Sequence, residues 1–149
     1  MLRISESVII ARAPQEIFDI AADPQVQLKW DSATLKQVEK LTPGPLAQGA
    51  RYRGQFTGFG VVEYEFGEYE SGKRFAHHAV MKIGDMQHIF EFEAVPEGTR
   101  LTQTLLVEPK GIGKLLAPIM PMMLRRRLRT INTEFKGYVT SPASSSAQQ

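Results

Sequence analysis

Two periods divide the chain. Ile4, Val8 and Ile10 share one face of an imperfect period-two stretch that ends before Pro14, with Glu6 on the same face and Ile9 on the other. Pro14 suits the first position of a helix, where its missing N–H costs nothing. Ile17, Phe18, Ile20 and Ala21 then form an apolar stripe at helical spacing, with Glu16 in the first turn. Asp23-Pro24 closes that helix, and Pro24 opens a second short one with Val26 and Leu28, ahead of Lys29-Trp30-Asp31. From Leu35 the alternation returns, interrupted by the Thr42-Pro43-Gly44-Pro45 turn, and continues as Tyr52 and Phe56, then Tyr64 and Phe66. Phe75, His77, Ala79 and Met81 share a face, as do His88, Phe90 and Phe92, and finally Leu101, Gln103, Leu105 and Val107. Gly111 and Gly113 end this region. Ile112, Leu115, Leu116, Ile119, Met123, Leu128, Ile131, Phe135 and Tyr138 recur at spacings near three and four. That predicts a short helical turn, then a long helix from about Pro118–Pro121 to Val139.

The order strand, two short helices, about six further antiparallel strands and one long amphipathic helix predicts an α+β helix-grip fold. In it a curved sheet of six to seven strands wraps the C-terminal helix and leaves a cavity between them. Residues 1–140 read as one ligand-binding domain. Residues 141–149, Ser-Pro-Ala-Ser-Ser-Ser-Ala-Gln-Gln, have nothing to bury and read as a disordered tail.

Composition narrows the chemistry. Of 149 residues, 42% are hydrophobic and 23% charged, enough apolar material for a core. With no cysteine, disulfides, thiolate metal sites and a cysteine nucleophile are excluded. A net charge of +2 does not point to nucleic acid. No secretory signal pattern and no run of about 18 apolar residues is visible, so a cytoplasmic protein without an integral membrane segment is the expectation.

Several segments resemble the START-like (SRPBCC) superfamily, in particular its polyketide cyclase/dehydrase and lipid-transport branch. They are the opening strand running into Ala13-Pro14-Gln15-Glu16-Ile17-Phe18-Asp19, then Asp23-Pro24 and Leu28-Lys29-Trp30-Asp31. Gly49-Ala50-Arg51-Tyr52, Ser71-Gly72-Lys73-Arg74-Phe75, Pro96-Glu97-Gly98-Thr99-Arg100-Leu101 and the basic, leucine-rich last helix resemble later parts of the same pattern. The resemblance covers roughly residues 3–140. It implies binding or transport of a small hydrophobic molecule, such as a lipid, quinone or polyketide-like aromatic. A cyclase or aromatase is the alternative, and a chaperone-activator-like interaction module is a third reading.

Shared strand phase assigns Tyr52, Tyr64, Phe66, Phe75, His77, His88, Phe90 and Phe92 to the concave face, with Met120 and Met123 opposite on the helix. His77 and His88 would donate to or accept from a ligand, or be satisfied polar residues of a sheet; His78 points the other way. Neither has a third partner at metal-ligand spacing, and no motif calls for a cofactor. Glu63, Glu65, Glu91 and Glu93 alternate with the aromatics and belong on the solvated face. Trp30 either walls the pocket or anchors its helix. Arg125-Arg126-Arg127 and Arg129 spread around the last helix, for peripheral contact with anionic lipid or as a solvated face. A monomer or a homodimer fits all of this.

Overall fold

A computed structural model describes residues 1–141. Strand β1 (Leu2–Ile10) is followed by helices α1 (Pro14–Ala22) and α2 (Pro24–Trp30). Six strands come next: β2 (Leu35–Lys40), β3 (Arg51–Phe56), β4 (Gly60–Glu70), β5 (Arg74–Met81), β6 (Gly84–Val95) and β7 (Gly98–Pro109). Helices α3 (Ile112–Leu116) and α4 (Met120–Val139) follow. The strands form one antiparallel sheet in the order β1-β7-β6-β5-β4-β3-β2. Only the return of β7 to β1 joins strands distant in sequence, and it places α4 beside β1. The result is the helix-grip architecture. Of the expected tail, Ser141 caps α4 through a 2.8 Å bond from its hydroxyl to the Tyr138 carbonyl, and the rest lies outside the described residues.

The alternation sorts side chains as the pleat requires. Tyr64, Phe66, Phe75, Phe90, Phe92 and Leu101 are buried on the concave face. Glu63, Glu91 and Glu93 pair on the outer face with Arg53, Arg74 and Arg100. β4 breaks strict alternation: its register against β5 shifts between Phe66 and Glu68. That bulge around Gly67 turns Tyr69 inward, where it meets Phe18 edge-on at 5.5 Å.

Two clusters fill the interior. The larger gathers α1, α2, the concave aromatics and Ile131, Phe135 and Val139 of α4. The smaller holds Ile4, Leu105, Val107, Met120, Leu124 and Leu128. The buried stripe of α4 therefore runs Met120, Leu124, Leu128, Ile131, Phe135, Val139. Met123 was expected on this stripe and is exposed. Five residues of helix put it about 140° around the axis from Leu128, whereas Leu124 is displaced by only about 40°.

Glu6 explains a polar residue in an apolar phase. It lies on the inner face of an edge strand, and α4 meets it with two cations. Its carboxylate accepts from Arg125 at 2.9 Å and from Arg129 at 3.1 Å.

Candidate ligand cavity

Between the sheet and α4 lies a cavity of about 90 Å³. One wall is the concave sheet: Val62 and Tyr64 of β4, His77, Ala79 and Met81 of β5, Met86, His88 and Phe90 of β6, and Leu105 of β7. Leu124, Arg127, Leu128 and Ile131 of α4 face them. Gln27, Trp30 and Asp31 at the end of α2 close one side, and Phe56 and Phe59 at the β3–β4 turn close another.

Of the ten residues expected at the site, Tyr64, His77, His88 and Phe90 line this cavity. Tyr52, Phe66, Phe75 and Phe92 are buried on the same face but do not reach it. The reason is α1. Its Phe18 packs edge-on against Phe75 at 5.6 Å and Phe92 at 5.2 Å, filling that end of the grip. Phe66 is enclosed by Tyr52, Tyr69 and Phe75. Met120 is buried in the smaller cluster rather than at the cavity, and Met123 is outside altogether. Both roles proposed for Trp30 hold. It lines the cavity and packs edge-on against Phe135 at 4.9 Å.

A polar relay stands behind the apolar wall and reaches it through His88. Gln103, fully buried on β7, donates from Nε2 to Asn132 Oδ1 at 2.5 Å, and its Oε1 lies 2.7 Å from His88 Nε2. An amide oxygen only accepts, so His88 carries its proton on Nε2 and its Nδ1 keeps a free lone pair. Residues 88, 103 and 132 come from two strands and a helix, which is why sequence reading missed the set. The legible signals were Gln103 between Leu101 and Leu105 and Asn132 beside Ile131, polar side chains in buried phases. His77 stands opposite His88 in the β5–β6 register, with ring centroids 6.2 Å apart.

Burial controls the charges here. Desolvation holds His77 down to about 3, with the neighbouring His88 adding to the effect. It lowers His88 to about 4, opposed by the bond to Gln103 and assisted by Arg127. Both rings are neutral near pH 7. Burial raises the Tyr64 phenol well above its ordinary value. Asp31 is pushed up to about 6 by burial, against the opposing pull of its bond from Gln27 and of the Arg127 charge. Arg127 is itself lowered by desolvation and lies over the Phe59 ring, 4.7 Å from the centroid. Trp30 Nε1, Asp31 Oδ1, Tyr64 Oη and His77 Nε2 are buried without hydrogen-bond partners. All four belong to residues of this wall. Among the described residues no group of three His, Asp or Glu side chains converges as a metal ion would require.

An antiparallel sheet gripping a long helix over an apolar cavity is the construction of START-like proteins. The chain belongs to the family described as polyketide cyclase/dehydrase and lipid transport, which matches residues 1–140. An uncharacterized protein of Mycobacterium tuberculosis is 26% identical over 133 residues, covering 84% of this chain and 79% of its own length. The crystal structure of TTHA0849 from Thermus thermophilus superposes with a TM-score of 0.72 at 16% identity, over 91% of this chain and 95% of that one. DynU16, a protein of the dynemicin biosynthetic locus, superposes with a TM-score of 0.69 at 16% identity, over 93% of this chain and 47% of that longer one.

Proposed function

We propose that the protein binds one small, largely apolar ligand in this cavity, as a carrier or sensor and without turnover. The observation that carries the reading is the wall itself: aromatic and aliphatic side chains from seven elements, with His88 held in place by the buried Gln103 and Asn132 behind it. Apolar burial supplies about 25 cal/mol per Å², so shape dominates affinity. His88 Nδ1 and the unpartnered groups of Tyr64 and His77 orient a hydroxyl or carbonyl on the ligand, each bond contributing about 0.5–1.5 kcal/mol. A lipid, a quinone or a polyketide-like aromatic satisfies that description.

Asp31 favours a second reading, an enzyme of the cyclase type. A carboxyl group near 6 on a cavity wall is matched to proton transfer near neutrality, whereas neutral His77 and His88 are poor general acids there. The experiment titrates a neutral naphthylamine probe into wild type, His77→Ala and His88→Ala, alongside an assay for conversion of a poly-β-ketone. The carrier reading expects affinity losses of a few-fold in each variant and no product. Product formation that disappears in Asp31→Asn assigns the protein to the enzyme class instead.

A further inference from the structure

The chain leaves ten large apolar side chains exposed among the described residues, and six of them fall between Ile112 and Met123. These are Ile112, Leu115, Leu116, Ile119, Met122 and Met123, on α3, the link after it and the first turn of α4, with Leu115 80% exposed and Met122 72%. Scattered exposed leucines need no explanation, but a contiguous group does. The attachment of α3 makes its exposure a feature of the fold. The helix rests on the β5–β6 turn through Gly113, which is its buried residue. Any side chain at position 113 would strike the Ile83 carbonyl. The inward side of α3 is thus a glycine and its outward sides are leucine and isoleucine, the reverse of a helix that folds by burying its apolar face.

Charge identifies what covers this surface. From residue 109 to residue 133 there is no Asp or Glu, while Lys110, Lys114 and Arg125, Arg126, Arg127 and Arg129 all fall there. Lys110 is tied to Asp85, Arg125 and Arg129 are tied to Glu6, and Arg127 faces the cavity. Lys114 and Arg126 are exposed and enter no ion pair among the described residues. Lys114 directly precedes Leu115, and Arg126 follows Met122 by one helical turn. We propose that α3 and the start of α4 form a docking surface for an anionic lipid bilayer, the apolar side chains entering the acyl boundary while Lys114 and Arg126 meet the headgroups. A second copy is a poorer occupant, because a two-fold contact would set the same cations against each other. This docking goes beyond the ligand reading and does not depend on the cavity.

The test is co-sedimentation of the full chain with vesicles of phosphatidylcholine alone and of phosphatidylcholine mixed with phosphatidylglycerol, at low and high salt. Wild type is expected to bind the anionic vesicles and to leave them as salt rises. Lys114→Ala with Arg126→Ala lowers partitioning by about fivefold per residue. Leu115→Ser with Met122→Ser lowers it by on the order of tenfold or more, at any salt. All four positions are exposed, so thermal unfolding is expected to be unchanged and serves as the folding control. Absence of wild-type binding, equal binding to both vesicle types, or binding indifferent to Leu115→Ser with Met122→Ser overturns the proposal. So does dimerisation in sedimentation velocity that the same pair abolishes, which assigns the surface to a second copy.

Discussion

Replacing Gln103 with leucine removes the centre of the polar relay at nearly constant volume. The fully buried amide joins His88 on one side and Asn132 on the other. Its loss leaves Asn132 Oδ1 without a donor in a buried setting, which costs about 1–3 kcal/mol. The His88 Nε2 proton also loses its acceptor, at about 1 kcal/mol. The apolar leucine returns a fraction of this by burial, so the expected net loss is roughly 2–3 kcal/mol. Asn132→Leu placed on top removes the stranded acceptor, so the double variant is more stable than the sum of the single losses predicts. The coupling is on the order of 1–2 kcal/mol. Urea unfolding of wild type, both singles and the double measures all four corners. The same substitution frees His88 to change tautomer, and affinity for the naphthylamine probe falls a few-fold. A loss under about 0.5 kcal/mol, or single losses that simply add, would refute the relay.

The titrating groups of the cavity make a signed prediction. His77 and His88 have folded values near 3 and 4 against 6.5, so between pH 4 and 6 the unfolded chain holds up to two more protons at these sites. Asp31, at about 6 against 3.8, holds one more proton in the folded chain over the same window. The net is about one proton, and stability rises by at most about 1.4 kcal/mol per pH unit from pH 4 to 6. Asp31→Asn removes the opposing group and steepens the slope toward about 2.7 kcal/mol per unit, read by urea midpoints across that range; an unchanged slope contradicts the assignment. On α4, Met120→Ala costs about 2–5 kcal/mol because the side chain is buried, whereas exposed Met123→Ala changes stability by less than about 0.5 kcal/mol. Equal losses in thermal unfolding would place the helix in the wrong rotation.

The fold was legible because most elements, α3 excepted, bury one dominant apolar face. The period-two phases of β5, β6 and β7 name their inward residues correctly, and the change of period after Gly111 marks the start of the helices. The rotation of α4 was harder to read. Ile119 and Met123 mimic a stripe that belongs to Met120 and Leu124, and only the lock of Leu128 against β7 and β1 decides between them. The concave aromatics announced an apolar interior but not its division into packed core and open cavity. That division depends on where Phe18 lands, a contact between distant parts of the chain. The polar residues at and behind the wall were overlooked for a related reason. Asp31, Gln103 and Asn132 are single polar residues in unremarkable local sequence, and only tertiary assembly sets Gln103 and Asn132 beside His88 and brings Asp31 to the same cavity.

The claim that the cavity is the ligand site is tested most directly by filling it. Ala79 lines the wall beside Tyr64 on one strand and Met86 on the other, and Ala79→Trp projects an indole into the space a ligand occupies. The measurement is probe titration of wild type, Ala79→Trp and Leu115→Ser, with native mass spectrometry of each as purified. The account predicts one saturable site in wild type and in Leu115→Ser. It predicts at least tenfold weaker binding, and loss of any co-purified apolar molecule, in folded Ala79→Trp. Undiminished binding in Ala79→Trp, with binding lost in Leu115→Ser, would contradict it and move the ligand from the cavity to the exposed surface of α3.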